Sequence, residues 1–139
     1  MVGMVLIDLQ KAFDTVDHDI LREKLKSIGV SSTMWFESYL SNRKQCVDVG
    51  GSRSDFLPVS CGVPQGSILG PLLFLVYVND MNISLSCRLS LYADDSALLF
   101  AHRDSQVIAA RLSSELSQCK KWLVDNRLSL HIGKTESLL

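Results

Sequence analysis

Several features typical of particular protein classes are missing from this chain of 139 residues. Fourteen basic residues stand against fifteen acidic ones, so the net charge of −1 lacks the basic excess of a protein that binds nucleic acid unaided. The four cysteines form no C-x-x-C pair, and the three scattered histidines add no zinc-binding spacing. We therefore expect buried free thiols and neither a disulfide framework nor a zinc site.

Long hydrophobic runs are also absent. The longest, from Leu72 to Val78, is far shorter than the ~20 residues of a membrane span. The apolar N-terminus has no basic region and reaches Asp8 too early for a signal peptide. These absences predict a soluble intracellular protein, cytoplasmic or nuclear, with no membrane partner. The apolar share of 47% and a mean hydropathy of +0.18 are sufficient for one globular domain.

Hydrophobic spacing predicts that strands and helices are mixed along the chain. Strands are expected at 4–8, 45–49, 55–60, 88–91, 96–100 and 128–132. Helices are expected from Asp17 or Asp19 to Gly29, from Ser31 or Ser32 through Leu40, from Pro71 to Asp80, and from Asp104 through Leu123. The second and third strands form a hairpin around the turn-rich residues 50–54. The resulting class is α+β, a largely antiparallel sheet with helices packed on one face.

Three acidic residues occupy unusual places in this pattern. Asp8 ends an apolar strand, and Asp94 with Asp95 forms the tip of an apolar hairpin. Two carboxylates ~4 Å apart repel by about 4 kcal/mol at an effective dielectric constant of 20, and a divalent cation would offset that repulsion. Oxygen ligands without histidine or cysteine favour Mg²⁺ or Mn²⁺. Taken alone, Asp94 and Asp95 fit better the simpler interpretation of ordinary turn residues, because Asp-Asp pairs are common.

Four segments, in order, resemble the palm motifs of reverse transcriptases, particularly those of non-LTR (LINE-type) retrotransposons. The first is DLQKAFDTVDH at 8–18, and the second is CGVPQGSILGPLLF at 61–74. The third is YADD at 92–95, with alanine at the variable position. The fourth is LSLHIGKT at 128–135, with His131 where many relatives carry asparagine. Because the order and spacing match over nearly the whole chain, the resemblance is much stronger than any single motif.

This resemblance implies an RNA-directed DNA polymerase with a polymerase palm-like sheet. In that family, a nucleotide is transferred from a dNTP to a primer 3′-hydroxyl with two metal ions, Mg²⁺ or Mn²⁺. Asp8 and Asp94 match the residues that bridge the ions, and Asp95 matches a weaker or indirect ligand. The implied partners are an RNA template, a DNA primer and dNTPs.

Further residues acquire nucleotide or template roles by the same resemblance. Phe13 matches the bulky residue that excludes a 2′-hydroxyl, although it also fits an ordinary core phenylalanine. Gln65 and Gly66 match the pair that lies against the template and the incoming base. Lys134 matches a lysine near the triphosphate that helps protonate the departing pyrophosphate, and a solvated surface lysine is the alternative.

Other notable side chains are expected to be structural. Asp14, Asp17 and Asp80 fit caps and turns. Trp35 and Trp122 lie on apolar helical faces, so we expect core positions for both.

The chain has little room for the parts that surround a palm in this family. Residues 1–139 are therefore expected to form a partial palm domain, without the fingers and thumb of a longer polyprotein, and with weak or no activity alone. Two alternatives remain open. One is a catalytically silent retrotransposon remnant, and the other is an RNA- or protein-binding module on the same scaffold. The presence of Asp8, Asp94 and Asp95 together argues against long decay.

Overall fold

A four-stranded antiparallel sheet forms the centre of the molecule. The computed structural model describes residues 1–139, apart from the side chain of Ser84. The strands of the sheet are β1 (Val2–Asp8), β6 (Arg88–Tyr92), β7 (Asp95–Ala101) and β8 (Glu136–Leu138). They lie in the order β6-β7-β1-β8, and β6 and β7 form a hairpin whose turn is residues 93–94. The helices are α1 (His18–Ser27), α2 (Met34–Leu40), α3 (Leu69–Val78) and α4 (Ser105–Asp125).

The helices cover one face of the sheet. Along β1, Gly3, Val5 and Ile7 are buried, whereas Val2 and Leu6 on the opposite face are exposed. A Cβ atom built on Gly3 would lie 2.3 Å from a methyl of Ile108 on α4, so this glycine permits the close approach of helix and strand. The α+β class predicted from the sequence, with an antiparallel sheet and packed helices, is confirmed.

Helix α1 begins where the sequence predicts. The Asp17 carboxylate accepts hydrogen bonds from the backbone N–H groups of Asp19 and Ile20, each at 3.0 Å, and so caps the helix. Of the two residues predicted as possible N-caps, Asp17 is the N-cap and Asp19 lies in the first turn of the helix. The helix gives way at Ile28 to Gly29, which has a φ of +93°.

The predicted hairpin at 45–49 and 55–60 is broken into shorter pieces. Strand β2 (Lys44–Gln45) pairs with β5 (Leu57–Pro58), and β3 (Asp48–Val49) pairs with β4 (Ser52–Arg53). All eight residues are exposed, so no buried face holds the strands in a continuous ladder. The tight turn is Gly50-Gly51 alone, because both glycines adopt positive φ.

A closing strand is predicted at 128–132, but the structure has it further along the chain, at Glu136–Leu138. The predicted segment makes a single bridge, Leu9 to Leu130, and then a 3₁₀ turn over Ile132–Lys134. The strand itself is β8, which pairs with β1. The third helix also differs slightly, since α3 ends at Val78 and continues as a 3₁₀ turn over Asn79–Ser84.

Some predicted burial is wrong. Trp35 is 56% exposed, because its helical face turns away from the core. Trp122 is partly buried and packs against the core. Among the cysteines, Cys87 and Cys119 are buried and free as expected, whereas Cys61 is exposed. Within the part of the chain that the structure describes, no helix is long and apolar enough to cross a membrane.

Candidate active site

Two carboxylates face each other where the sheet ends. Asp8 is the last residue of β1 and Asp95 is the first of β7, and the two are register partners in the antiparallel pair. Partners in such a register place their side chains on the same face. That face carries the exposed Leu6 rather than the buried Ile7, so it is the face that helix α4 leaves open.

Asp94 occupies the turn between β6 and β7. The pair Tyr92 and Asp95 closes this turn, so Ala93 and Asp94 are its two central residues. Ala93 has a φ of 52°, in the left-handed region that favours glycine or asparagine. The turn therefore carries backbone strain while it holds two adjacent, exposed carboxylates at its tip.

The segment after α4 brings a cation to this cluster. The backbone N–H of His131 donates to the carbonyl of Asp8 at 2.9 Å, and the N–H of Lys134 donates to the carbonyl of His131 at 3.1 Å. These bonds fold the 3₁₀ turn back onto β1. As a result, the Lys134 Nζ atom lies 3.9 Å from Asp8 Oδ2.

The residues predicted for the site line two neighbouring clefts. One cleft contains the first carboxylate pair and the lysine, namely Asp8, Asp95 and Lys134. The other contains the remaining predicted residues, namely Asp94, Phe13, Gln65 and Gly66. Since Asp94 and Asp95 are consecutive, the clefts adjoin at the hairpin tip.

The second cleft is built by two loops that hydrogen-bond to each other. The N–H of Val63 donates to the carbonyl of Phe13 at 2.8 Å, and the Gln65 side-chain amide donates to the Asp14 carboxylate at 2.8 Å. The ring of Phe13 stacks on Phe74 of α3, with centroids 4.6 Å apart. Phe13 is thus partly buried, and it also lines the cleft. Both interpretations of this residue are compatible with its position.

Gly62 makes the contact between these loops possible. Its φ is +88°, and a Cβ atom there would lie 2.8 Å from the backbone oxygen of Asp14. Gly66 also has positive φ, of +77°, but a Cβ atom there would have nothing within 4 Å. Gly62 is therefore needed for packing, whereas Gly66 leaves open space beside the cleft.

A buried glutamate supports the hairpin from behind. Glu115 of α4 is fully buried, and its carboxylate accepts from the Ser86 N–H at 2.9 Å and from the Ser86 hydroxyl. Arg111 lies 3.2 Å from the same carboxylate. Burial raises the pKa of Glu115, but these hydrogen bonds and Arg111 outweigh burial and hold the pKa below its usual range. The segment that leads into β6 is thereby fixed to α4.

A second polar network joins α1 to α3. Lys24 is mostly buried and donates to the backbone carbonyl of Tyr77 and to the Asp80 carboxylate. Burial lowers the pKa of Lys24, and Asp80 opposes that shift. Burial also raises the pKa of Tyr77 to about 12, and its hydroxyl donates to the Asn126 carbonyl. Asp80 is therefore an ion-pair partner rather than a cap.

Three residues near the site were not predicted from the sequence. Lys11 lines the cleft of Phe13 and Asp94, and it adopts a left-handed φ of 49°. Ser96 follows Asp95, and its buried hydroxyl has no hydrogen-bond partner among the described residues. Glu136 of β8 adds a carboxylate to the cleft of Asp8. Lys11 lies within the first motif, so the motif could have indicated its place at the site. Glu136 lies outside all four motifs, so nothing in the sequence pointed to it.

The donor set suits a hard divalent cation. Its side chains offer carboxylate oxygens, which Mg²⁺ and Mn²⁺ prefer. Among the described side chains, no three or more histidine, cysteine, aspartate or glutamate residues are grouped as a metal site. Mg²⁺ is usually bound by one or two carboxylates plus water and substrate phosphates, so the facing pair Asp8 and Asp95 fits that manner of binding.

Comparison with known proteins identifies the family of this arrangement. Residues 2–139 match the family described as reverse transcriptase (RNA-dependent DNA polymerase). The chain belongs to the reverse transcriptase family. Similar curated proteins include a probable RNA-directed DNA polymerase from transposon BS of Drosophila melanogaster, 37% identical over 133 residues. Another is the RNA-directed DNA polymerase from mobile element jockey of the same species, 32% identical over 125 residues.

The matches cover this chain and a small part of each relative. The first covers 86% of the chain and 15% of the transposon BS protein, and the second covers 84% and 14%. Among solved structures, telomerase from Candida Tropicalis aligns with a TM-score of 0.68 at 11% identity, over 99% of this chain and 26% of that one. The predicted membership of the non-LTR reverse transcriptases and the palm-like fold are confirmed.

Proposed function

We propose that this reverse transcriptase chain forms the palm of an RNA-directed DNA polymerase that transfers dNTPs to a primer 3′-hydroxyl. The observation that carries the proposal is the register partnership of Asp8 and Asp95, with Asp94 at the adjoining turn. Asp8 and Asp95 share one cleft at the end of the sheet, and Asp94 lines the adjoining cleft. Nothing in the core requires them there, because Asp94 and Asp95 are exposed.

Two divalent cations, Mg²⁺ or Mn²⁺, are the proposed cofactors. Asp8 and Asp94 would hold them, with Asp95 as a weaker or indirect ligand. When bound, such ions stabilise the charge on the attacking and leaving oxygens of an in-line displacement. The protein supplies no covalent intermediate and contributes position and charge.

The neighbouring residues receive roles in nucleotide and template binding. Phe13 would exclude a 2′-hydroxyl, because its ring is held by Phe74 and lines the cleft of Asp94. The open space beside Gly66 would let the template and incoming base approach the backbone. Lys134, mostly exposed and 3.9 Å from Asp8, would hold a proton close to the departing pyrophosphate.

The proposed partners are an RNA template, a DNA primer and dNTPs. The chain spans about 15% of the length of the curated relatives reported above, so much of each relative lies outside the match. We accordingly propose that residues 1–139 act as a partial palm domain, with fingers and thumb supplied by other segments of a longer polyprotein, and that activity is weak in isolation.

Primer extension tests this proposal. Excess protein is incubated with an RNA template, an annealed DNA primer, dNTPs and Mg²⁺ or Mn²⁺, and single-nucleotide addition is measured. Addition by the native chain should be lost in Asp94→Asn and retained in Asp55→Asn, which alters an exposed loop acid that lines neither cleft. A native chain that unfolds cooperatively but adds no nucleotide would contradict the proposal and favour a silent remnant.

A further inference from the structure

Three side chains on and after α2 form a continuous stack. The rings of Trp35 and Tyr39 are 5.5 Å apart and inclined by only 6°, and the guanidinium carbon of Arg43 lies 4.5 Å from the centre of the Tyr39 ring. We call these three residues the stacking ladder. Trp35 remains 56% exposed, so the ladder ends in an aromatic surface open to solvent.

The cationic end of the ladder opens into a groove. Arg43, Lys44 and Lys11 line this groove. Within the part of the chain that the structure describes, none of these three has a carboxylate at ion-pair distance. One acid, Asp14, also lines the groove, and its carboxylate accepts from Gln65. The groove is therefore positively charged, although the whole chain has a net charge of −1.

The groove is continuous with the candidate active site. Lys11 and Gln65 line both the groove and the cleft that contains Phe13 and Asp94. A path thus runs from Asp94 through the cleft and the groove to Arg43, and the stack with Tyr39 continues from there to Trp35.

We propose that this path, from Lys11 to the stacking ladder, binds single-stranded RNA, with phosphates on the cations and a base on Trp35. The inference rests on the proposed function and adds a specific binding track to it. Sequence-tolerant binding of single strands combines a positively charged groove with aromatic side chains on which bases stack. A duplex fits the ladder poorly, because its bases are already stacked and unavailable to Trp35.

The test measures the binding of a fluorescein-labelled oligouridine RNA by anisotropy over a series of salt concentrations. Trp35→Ala should weaken binding about tenfold with little change in salt dependence, because stacking is not an ionic contact. Arg43→Gln and Lys44→Gln should each reduce the slope of log affinity against log salt by about 0.7, the value for one phosphate contact on a single strand. Unlabelled duplex DNA should compete less well than unlabelled oligouridine.

Matched controls exist for both kinds of change. Met34→Ala removes an exposed apolar side chain from the same helix outside the ladder, and Lys120→Gln removes an exposed cation on α4. Met34→Ala should leave RNA affinity close to that of the native chain, and Lys120→Gln should leave the salt slope close to the native value. Equal effects of Trp35→Ala and Met34→Ala, or an unchanged salt slope in Arg43→Gln, would overturn the proposal and favour a protein partner on Trp35.

The outcome is separable from that of the proposed function. Asp94→Asn is expected to abolish primer extension, because it removes a carboxylate of the candidate active site. The slope of log RNA affinity against log salt should stay the same in this variant, because the groove cations are unchanged. Loss of the Trp35 and Arg43 effects with metal-dependent extension intact would overturn this inference alone. RNA binding as described here with no extension by the native chain would overturn only the polymerase proposal.

Discussion

Asp8 and Asp95 are direct partners across antiparallel strands, and they place two carboxylates on one open face of the sheet. Like charges directly opposite each other destabilise a strand pair. Lys134 offsets part of this repulsion from 3.9 Å, but its side chain is mostly exposed. We expect the metal ions proposed above to relieve the repulsion that remains between the two carboxylates.

This relationship predicts opposite effects of Asp95→Asn on stability and on metal binding. In buffer containing EDTA, the variant should be more stable than the native chain by about 0.5 kcal/mol, because one of two facing charges is gone. In Mn²⁺, the native chain should gain stability by mass action, and the variant should gain less. Urea unfolding with and without Mn²⁺ measures both effects.

Asp55→Asn is the control for this experiment, since it removes a charge from an exposed loop. Its response to Mn²⁺ should match that of the native chain. A Mn²⁺ response in Asp95→Asn equal to the native one would show that Asp95 takes no part in binding the ion.

Gly62→Ala tests the packing of the first motif against the second. The new Cβ would lie 2.8 Å from the Asp14 backbone oxygen, in a residue with a φ of +88°. Left-handed strain and overpacking together should cost about 2–4 kcal/mol in the free energy of unfolding. Chemical denaturation measures the cost.

Gly51→Ala provides the comparison for Gly62→Ala. It has a similar φ of +84°, but a Cβ atom there meets nothing within 4 Å. The strain alone should cost about 1 kcal/mol. Similar losses for both variants would mean that the contact between Gly62 and Asp14 contributes nothing.

The parts of the fold that could be predicted from the sequence are those fixed by local signals. Asp17 caps α1 because its carboxylate reaches the next backbone N–H groups, which depends on neighbouring residues alone. All seven site residues that the four motifs predicted line one of the two adjoining clefts. The sequence could not show which of these residues pair across the strands or how far apart they lie, because both depend on the register of the folded sheet.

The wrong predictions concern elements that tertiary context decides. Leu128, Leu130 and Ile132 alternate like a strand, but backbone bonds to Asp8 and Gln10 turn this segment into a bridge and a 3₁₀ turn. Trp35 has the spacing of a core residue, yet it is exposed. Hydrophobic spacing indicates which residues share a helical face and gives no information about what covers that face.

Phe13→Val tests the proposed exclusion of ribonucleotides. If extension occurs, the smaller side chain should raise the use of rNTPs relative to dNTPs by about tenfold or more, because bulk beside the sugar is removed. Competition between rNTPs and dNTPs in primer extension measures the ratio. Phe13→Tyr keeps the ring against Phe74 and should retain the native selectivity. Unchanged selectivity in Phe13→Val would leave Phe13 as a packing residue only.

Glu115→Gln tests how the buried carboxylate supports the segment before β6. The native carboxylate accepts from Ser86 and pairs with Arg111 at 3.2 Å, so the variant should lose about 2 kcal/mol of stability at neutral pH. Glu23→Gln on α1 is the control, because that exposed acid forms only surface ion pairs, with Lys26 and Arg22. Surface pairs contribute little, so its loss should be smaller.

The pH dependence of the same variant has a definite sign. Burial opposes ionisation of Glu115, but its hydrogen bonds and Arg111 prevail and lower the pKa in the folded state. A lowered pKa contributes stability above the unfolded-state value of about 4.3, and that contribution is lost as pH falls through the folded-state pKa. The difference in unfolding free energy between native chain and Glu115→Gln should therefore be largest near neutral pH and shrink in acid. Urea unfolding along a pH series measures it, and a difference that grows in acid would mean that the carboxylate is protonated in the folded protein.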